Sequence, residues 1–369
     1  MIKYLSLFSG IGAFEKALVN QAINFELVGF SEIDKYASKA YSLIHGVSED
    51  LNFGDITKID ETKLPEVDFI TYGFPCQDIS IAGLQKGFED DGEKTRSGLF
   101  FDALRIIEHC QPKVAIAENV KNLTSKKFSE QFDIVLNSLE EAGYNNYWTI
   151  LNAKDYGVPQ NRERVFIVSI RKDQDHHLFQ FPEAYPLGKR LKDVLEEVVD
   201  EKYIITEDGL KYMNRQVKGG RTHWDFSHHN DSDNEVANCL TANMMKGVPY
   251  NVLIDRTDRI IQVGNCRPTK TRQNPNQGRI YAPEGVAPTL NCATGGDREP
   301  HVALGKVIRK LTPKECFRLM GFDDSDCQIL TDNKISNTQL YKQAGNSIVV
   351  DVAEELLCMM FDEDGYLYV

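Results

Sequence analysis

The chain has 369 residues, 41% of them hydrophobic, with 26 glycines and 13 prolines; that suits one large core or two domains and excludes collagen-like or disordered character. No apolar run is long enough to span a bilayer, and the opening "MIKYLSLFSGIG" lacks the apolar run and cleavage site of a secretory signal, so a cytoplasmic protein is expected. The net charge of −13 speaks against nucleic acid only as a global sum, because binding needs no more than a local positive surface.

Taken in order, "KYLSLF" reads as a first strand, "SGIG" as a tight loop and "AFEKALVNQA" as an amphipathic helix. "FELVGFSE" is a second strand, "KYASKAYSLIHG" a helix, and "FGDIT" a short strand ending in Asp55. "VDFITYG" follows as a strand suited to burial on both faces, then "GLFFDALRIIEHC" as a helix and "KVAIAENV" as a strand. A helix over "FSEQFDIVLNSLEEAG" closes at Gly143, and "YNNYWTILNA" and "RVFIVSI" complete the strands. Strands alternating with helices predict an α/β fold with a mostly parallel sheet covered on both faces. Three segments are expected: 1–174 as the α/β domain, 175–305 as a smaller, irregular β-rich domain, and 306–369 returning to the first. Within the last, "NTQLYKQAGNSIVVDVAEELLCMM" reads as a turn and one long apolar-faced helix.

Eight cysteines are spread without a Cys-x-x-Cys pair, so neither zinc nor disulfides are expected. Gly10 and Gly12 lie between a strand and a helix, where glycine permits a tight turn and close approach of a ligand. Glu32 follows the second strand at about the distance where an acid meets a ribose hydroxyl. Glu15 stands where a dinucleotide loop carries its third glycine, and no phosphate-cradling Gly-Lys-Ser/Thr follows. A ligand with a ribose and no phosphates, such as S-adenosylmethionine, fits better than NAD; taken alone, the stretch serves equally as a plain strand turn.

Cys76 follows "GFP" at a strand end, where Pro75 restricts the loop. Alone, it is more ordinarily a small buried hydrophobe. Glu118 ends an apolar strand, where a charge is costly unless used or paired. In "YGVPQNRERVFIV", Arg162 and Arg164 alternate to one side and, with Gln160, make a row of donors. A thiol, a carboxyl and arginines then share an edge with a ribose-binding acid, and the absence of a histidine disfavours Cys-His hydrolysis.

The blocks "LFSGIGAF", "SEID", "GDIT", "GFPCQDIS", "KGFEDDGEKTRSGLFFDALR", "ENV", "KDYGVPQNRERVFIV", "LTPKECFRLMGF" and "QAGNSIVV" closely resemble the DNA (cytosine-5)-methyltransferase family, in the family's order. The resemblance implies a Rossmann-like sheet of the seven-stranded methyltransferase type and S-adenosylmethionine as cofactor, with S-adenosylhomocysteine as product and no metal. Phe8, Gly10 and Gly12 would surround the cofactor, Glu32 would take the ribose hydroxyls, Asp55 the adenine amine, and Ile33 and Ile56 would flank it. Ile33 departs from the family, in which an aromatic is frequent there. Asn346 would close the pocket from the C-terminal segment. Cys76 would attack carbon 6 of cytosine, Glu118 would contact N3 and the exocyclic amine, Arg164 the carbonyl oxygen, and Arg162 would support the catalytic loop.

The family's second domain chooses the DNA site. Residues 259–298 hold six basic residues, Arg272 and Arg279 among them, against two acidic. "APTLN" resembles the family's Thr-Leu pair at Thr289 and Leu290, with "CLTAN" as a rival. Gln77, Ser80, Arg96 and Ser97 are further expected DNA contacts, and residues 78–98, with Gly83, Gly87 and Gly92, read as a closing lid. The partner is double-stranded DNA, with room for a restriction endonuclease acting on the same site; a monomer and no membrane association are expected. No long extension precedes "KYLSLF", so the compact bacterial or phage form is the expectation. The rivals are an RNA cytosine-5 methyltransferase using the same thiol chemistry, a DNA-binding module that has lost catalysis, and a NAD-dependent oxidoreductase.

Overall fold

A computed structural model of the chain describes residues 1–75, 89–90, 93–94, 97–204, 262–265, 279–290, 301–304, 307–362 and 365–369. Its first half is built from β1 (Ile2–Leu7), α1 (Ala13–Asn20), β2 (Phe25–Ser31), α2 (Lys35–His45), β3 (Phe69–Tyr72), the short pair β4 (Glu89–Asp90) and β5 (Glu93–Lys94), α3 (Phe100–Cys110), β6 (Val114–Val120), α4 (Ser129–Glu141), β7 (Tyr144–Asn152), β8 (Gln160–Asn161) and β9 (Glu163–Arg171). Six of these strands form one sheet in the order β2-β1-β3-β6-β9-β7. The first four run parallel, and β9 lies antiparallel between β6 and β7.

The apolar strand runs fill both faces of this sheet. Tyr4, Phe69, Ile116 and Val168 enter one cluster with α1 and the C-terminal helices. Their chain neighbours Leu5, Ile70, Ala115 and Ile167 enter the other with α3 and α4. Alternation along each strand thus feeds two cores, so the strands read as continuous hydrophobic stretches.

The expected strand at "FGDIT" is reduced to a parallel bridge between Phe30 and Asn52. Gly54, at φ +70°, turns the chain at once. Asp55 then caps a 3-10 turn over Ile56–Lys58 by accepting from the Thr57 N–H at 3.1 Å. A side chain that caps the following turn competes with extended pairing.

The C-terminal segment carries α5 (Pro313–Arg318), α6 (Asp324–Asp332), α7 (Asn337–Asn346) and α8 (Val350–Cys358). It packs against α1: Lys16 pairs with Asp323 at 2.6 Å and Asp326 at 3.0 Å, and Asn20 donates to Glu354 at 2.5 Å. The single long helix is instead two, interrupted at Ser347–Val349. Ile348 and Val349 are β-branched, which weakens a helix there, and the carbonyls of Gly345 and Ser347 accept from Arg162.

A four-stranded sheet joins β10 (Gln262–Asn265), β11 (Arg279–Tyr281) and β13 (His301–Leu304) of residues 175–305 to β14 (Val307–Lys310) at the start of the C-terminal segment, while β12 (Ala287–Pro288) pairs with β8. Phe179, Leu191, Val194, Tyr281, Ala287, Leu290 and Val302 join the same core cluster as α1 and α8. The buried Arg309–Glu315 pair, at 2.7 Å, pins β14 to α5.

Candidate active site

The register brings the carboxyl ends of the parallel strands to one edge. Leu7 lies opposite Ser31 and Tyr72, and Tyr72 opposite Ala117, so Phe8, Glu32 and Gly73 leave the sheet at the level of Glu118, which stays in β6 opposite Phe166 of β9. That edge is where open α/β sheets bind ligands.

At β1, Phe8 and Gly10 both adopt left-handed backbone, with φ of 53° and 57°. The loop is held by Glu32: one carboxylate oxygen accepts from the Gly10 N–H at 3.0 Å and the other from the Asp34 N–H at 2.7 Å. Burial pushes the Glu32 carboxyl above its ordinary range, opposed by those two N–H donors. Asn52, unassigned from sequence, clamps the same point: its oxygen accepts from the Glu32 N–H at 3.0 Å and its amide donates to the Glu32 carbonyl at 2.9 Å.

The two glycines differ in what surrounds them. A Cβ on Gly10 would meet nothing within 4 Å, whereas one on Gly12 would lie 2.2 Å from the His45 ring and 2.9 Å from Tyr41. Gly10 therefore borders open space at the ligand edge, and Gly12 permits helix packing. Ile33 is 77% exposed beside Glu32, a large apolar side chain left open. Asp55 is partly exposed, and Ile56 is buried. From the C-terminal segment, Lys342 pairs with Asp34, and Gln343 donates to the Tyr36 carbonyl at 2.9 Å, which sets exposed Asn346 at the end of α7. Open space beside Gly10, an acid with its backbone clamped and an open apolar side chain fit a ribose-bearing group without phosphates, such as S-adenosylmethionine.

Further along the edge, Arg164 Nε pairs with Glu118 Oε1 at 2.9 Å, both largely buried. They come from the antiparallel β6 and β9, where Val120 faces Arg164. A Cβ on Gly73 would lie 3.6 Å from the Glu118 carboxylate, so the end of β3 lies directly against that acid. Asn119, the residue after Glu118, is buried and donates to the Phe74 carbonyl at 3.1 Å. It therefore fixes the backbone two residues before Cys76. Cys76 itself, Gln77, Ser80, Arg96, Arg272 and most of the expected lid lie outside the described residues. Ser97 opens a 3-10 turn leading into α3.

The row of donors reads differently in three dimensions. Gln160 and Arg162 turn inward. Arg162, 3% exposed, donates to the carbonyls of Leu290 at 3.1 Å, Gly345 at 3.2 Å and Ser347 at 2.6 Å. Gln160 donates to the Leu319 carbonyl at 2.6 Å and accepts from the Leu290 N–H at 3.0 Å. Arg162 and Arg164 do line one small cavity together, with Phe166 and Val349. Of the expected DNA contacts, Leu290 has a buried side chain, whereas Thr289 is exposed and its hydroxyl donates to the Asn161 carbonyl at 2.7 Å. Arg279 opens β11 across from Asn265, beside Tyr281. An open groove of about 410 Å³ runs from Arg164 along Lys121, Asn122 and Ser125 to Thr289.

A mostly parallel sheet with an acid at the end of its second strand and an acid–arginine pair further along the same edge defines a Rossmann-like methyltransferase domain. The family model for C-5 cytosine-specific DNA methylase matches residues 2–361. The orphan methyltransferase M.SPRI of Bacillus phage SPR is 36% identical, covering 96% of this chain and 96% of its own. The type II methyltransferase M.HhaI of Haemophilus parahaemolyticus is 34% identical over 96% of this chain and 92% of its own. Among solved structures, the Dnmt2 methyltransferase of S. pombe has a TM-score of 0.64 at 20% identity, covering 97% of each chain, and supports the fold. The chain belongs to the C-5 cytosine-specific DNA methylase family. It is a DNA (cytosine-5)-methyltransferase, and membership implies S-adenosylmethionine as its methyl donor. Among the described residues no helix is long and apolar enough to cross a membrane.

Proposed function

We propose that the chain methylates carbon 5 of cytosine within one short duplex sequence, by way of a transient bond from Cys76 to carbon 6 of a flipped-out base. The observation that carries this is the Glu118–Arg164 pair at 2.9 Å, beside the end of β3, which Cys76 follows four residues later in sequence. Cytosine carbon 5 is a poor nucleophile. A thiolate added at carbon 6 pushes electron density toward carbon 5, and the charge that builds on the ring needs donors already in place. Glu118 can meet N3 and the exocyclic amine, and Arg164 the carbonyl oxygen. Bound S-adenosylmethionine supplies an electrophilic methyl group; Glu32, Gly10 and Ile33 hold its nucleoside end. Loss of the carbon-5 proton then expels the Cys76 thiolate and restores the aromatic ring. The face of the ring is hidden in a stacked duplex, so the base must leave the helix.

In this reading residues 175–305 choose the sequence, with Arg272, Arg279 and Thr289 on the DNA side, and residues 1–174 and 306–369 carry out the chemistry. A restriction endonuclease acting on the same site is the partner class that the type II relatives suggest. Bisulfite sequencing of host DNA after expression, beside a Cys76→Ser control, tests the whole scheme. Protected cytosines should appear in one fixed short context with the parent chain and vanish with the variant. Full protection in the Cys76→Ser strain would reject the thiol mechanism, and protection in no context would reject the substrate.

A further inference from the structure

The turn that follows Asp55 is held by a helix 46 to 49 residues further along the chain. Arg105 of α3 donates from Nη1 to the Ile59 carbonyl at 2.8 Å and from Nη2 to the Ile56 carbonyl at 2.6 Å. The same guanidinium pairs with Glu61, and its Nε lies 3.5 Å from Asp102, one turn earlier on α3. Arg105 is 27% exposed and Glu61 29%, so the fork is largely sheltered from water. On the other side of Asp55, Gly54 is fixed: its N–H donates to Asn52 at 2.8 Å, and its carbonyl accepts from the hydroxyl of Ser31, the last residue of β2, at 2.7 Å. Asp55 therefore stands between two anchored points.

What the anchors hold is the direction of one carboxylate. Asp55 Oδ1 accepts from the Thr57 hydroxyl at 2.8 Å and the Thr57 N–H at 3.1 Å. Those two donors keep the carboxyl below its usual range, so at neutral pH it is a charged acceptor. Oδ2 lies 3.8 Å from the Lys58 ammonium, a weak and exposed pair. A carboxylate accepts from an exocyclic amine and repels a carbonyl in the same place, and the bond weakens steeply when it is misaligned. The turn's own bonds, Lys58 N–H to the Asp55 carbonyl at 2.9 Å and Ile59 N–H to the Ile56 carbonyl at 3.3 Å, are those of a 3-10 turn, whose hydrogen-bond geometry is poor. The long-range hold comes from α3. We propose that Arg105 is a positioning residue for the cofactor: it fixes the turn that aims Asp55 at the adenine amine, and so sets the preference for adenine over a deaminated base. This rests on S-adenosylmethionine being the methyl donor, with Asp55 at its adenine amine.

The test measures binding of S-adenosylhomocysteine and of its deaminated analogue, S-inosylhomocysteine, to the full-length protein by calorimetric titration, with thermal midpoints alongside. A hydrogen bond to a charged group is worth roughly ten- to hundredfold in affinity, so the parent should prefer the adenine ligand by about that ratio. Arg105→Ala should cut the ratio severalfold, mostly by weakening S-adenosylhomocysteine. Arg105→Lys keeps the charge but not the fork, so it should retain part of the ratio; it carries the test if the alanine variant does not fold. Glu61→Gln breaks the ion pair and leaves both carbonyl bonds, so its ratio should match the parent. Asp55→Asn should lower the ratio by itself, and adding Arg105→Ala should lower it no further. A parent ratio kept in both Arg105 variants, or a fall of equal size with and without Asp55, overturns the positioning role. A parent that binds the two ligands equally overturns the Asp55 contact, and one that binds neither overturns the cofactor itself.

Discussion

Arg162 reaches Ser347 across 185 residues of sequence, its Nη2 donating to the Ser347 carbonyl at 2.6 Å. The same guanidinium holds the carbonyls of Gly345 and Leu290, so one side chain joins the break between α7 and α8 to the segment that follows β12. Removing a donor from buried acceptors costs about 1–3 kcal/mol for each group left unsatisfied. Arg162→Ala should therefore lower stability by on the order of 3 kcal/mol, read as a fall in the urea midpoint at constant slope. Arg162→Lys should recover only part of that, because an ammonium is a point donor and cannot reach three carbonyls in a fork.

Gly10 and Gly12 separate binding from packing. Gly12→Ala places a methyl 2.2 Å from the His45 ring at φ +80° and should destabilise the fold by on the order of 2 kcal/mol. Gly10→Ala meets no atom within 4 Å and carries only the backbone strain of φ +57°, about 1 kcal/mol. Its methyl occupies the cradle beside Glu32, so S-adenosylhomocysteine binding should weaken at least roughly tenfold. Calorimetric titration and thermal midpoints together check the pair: the two variants should rank in opposite order in the two measurements.

The sequence made some of this legible and hid the rest for identifiable reasons. Glu32 and Glu118 stand out in the sequence because each follows on an apolar run, although β6 itself continues through Val120. Sheet order does not, since the insertion of β9 antiparallel between β6 and β7 depends on long-range pairing. The inward roles of Gln160 and Arg162 were equally hidden: their partners lie 128 to 185 residues away, and polar residues in an extended stretch look alike whichever way they face. Asp55 looked like a strand end because a turn-capping acid and a strand-terminal acid share the same local pattern.

Asn119 bridges two strand ends, its amide donating to the Phe74 carbonyl and its oxygen accepting from the Val120 N–H at 2.8 Å. Asn119→Ala frees the backbone that carries Pro75 toward Cys76 while leaving Glu32 and Gly10 untouched. Methyl transfer should fall by at least about tenfold, since small misplacements of a reacting group are costly. Binding of S-adenosylhomocysteine should stay at the parent value. A matched loss of both would mean that Asn119 supports the whole edge rather than the loop.

Asp351, at the start of α8, is packed so closely against Gly321 that a Cβ on the glycine would lie 2.2 Å from its carboxylate. Burial, reinforced by Glu354 and Glu355 and opposed by Lys189, raises its pKa from 3.8 to about 6. The sign follows from proton counting. Between about 4 and about 6 the folded chain keeps a proton that the unfolded chain has lost, so this group's contribution is fully present in acid and disappears as pH rises through about 6. Above that, the ionised carboxylate is held at a cost on the order of 3 kcal/mol. Asp351→Asn keeps the shape and removes the charge. It should raise stability at pH 7.5 by up to about 3 kcal/mol. The advantage should shrink as pH falls through about 6 and vanish only below 3.8, where the parent side chain is neutral in both states. Urea titrations of both proteins at pH 4.5, 6 and 7.5 check the trend, and a variant advantage that stays constant with pH would place the origin of the effect in packing rather than in charge.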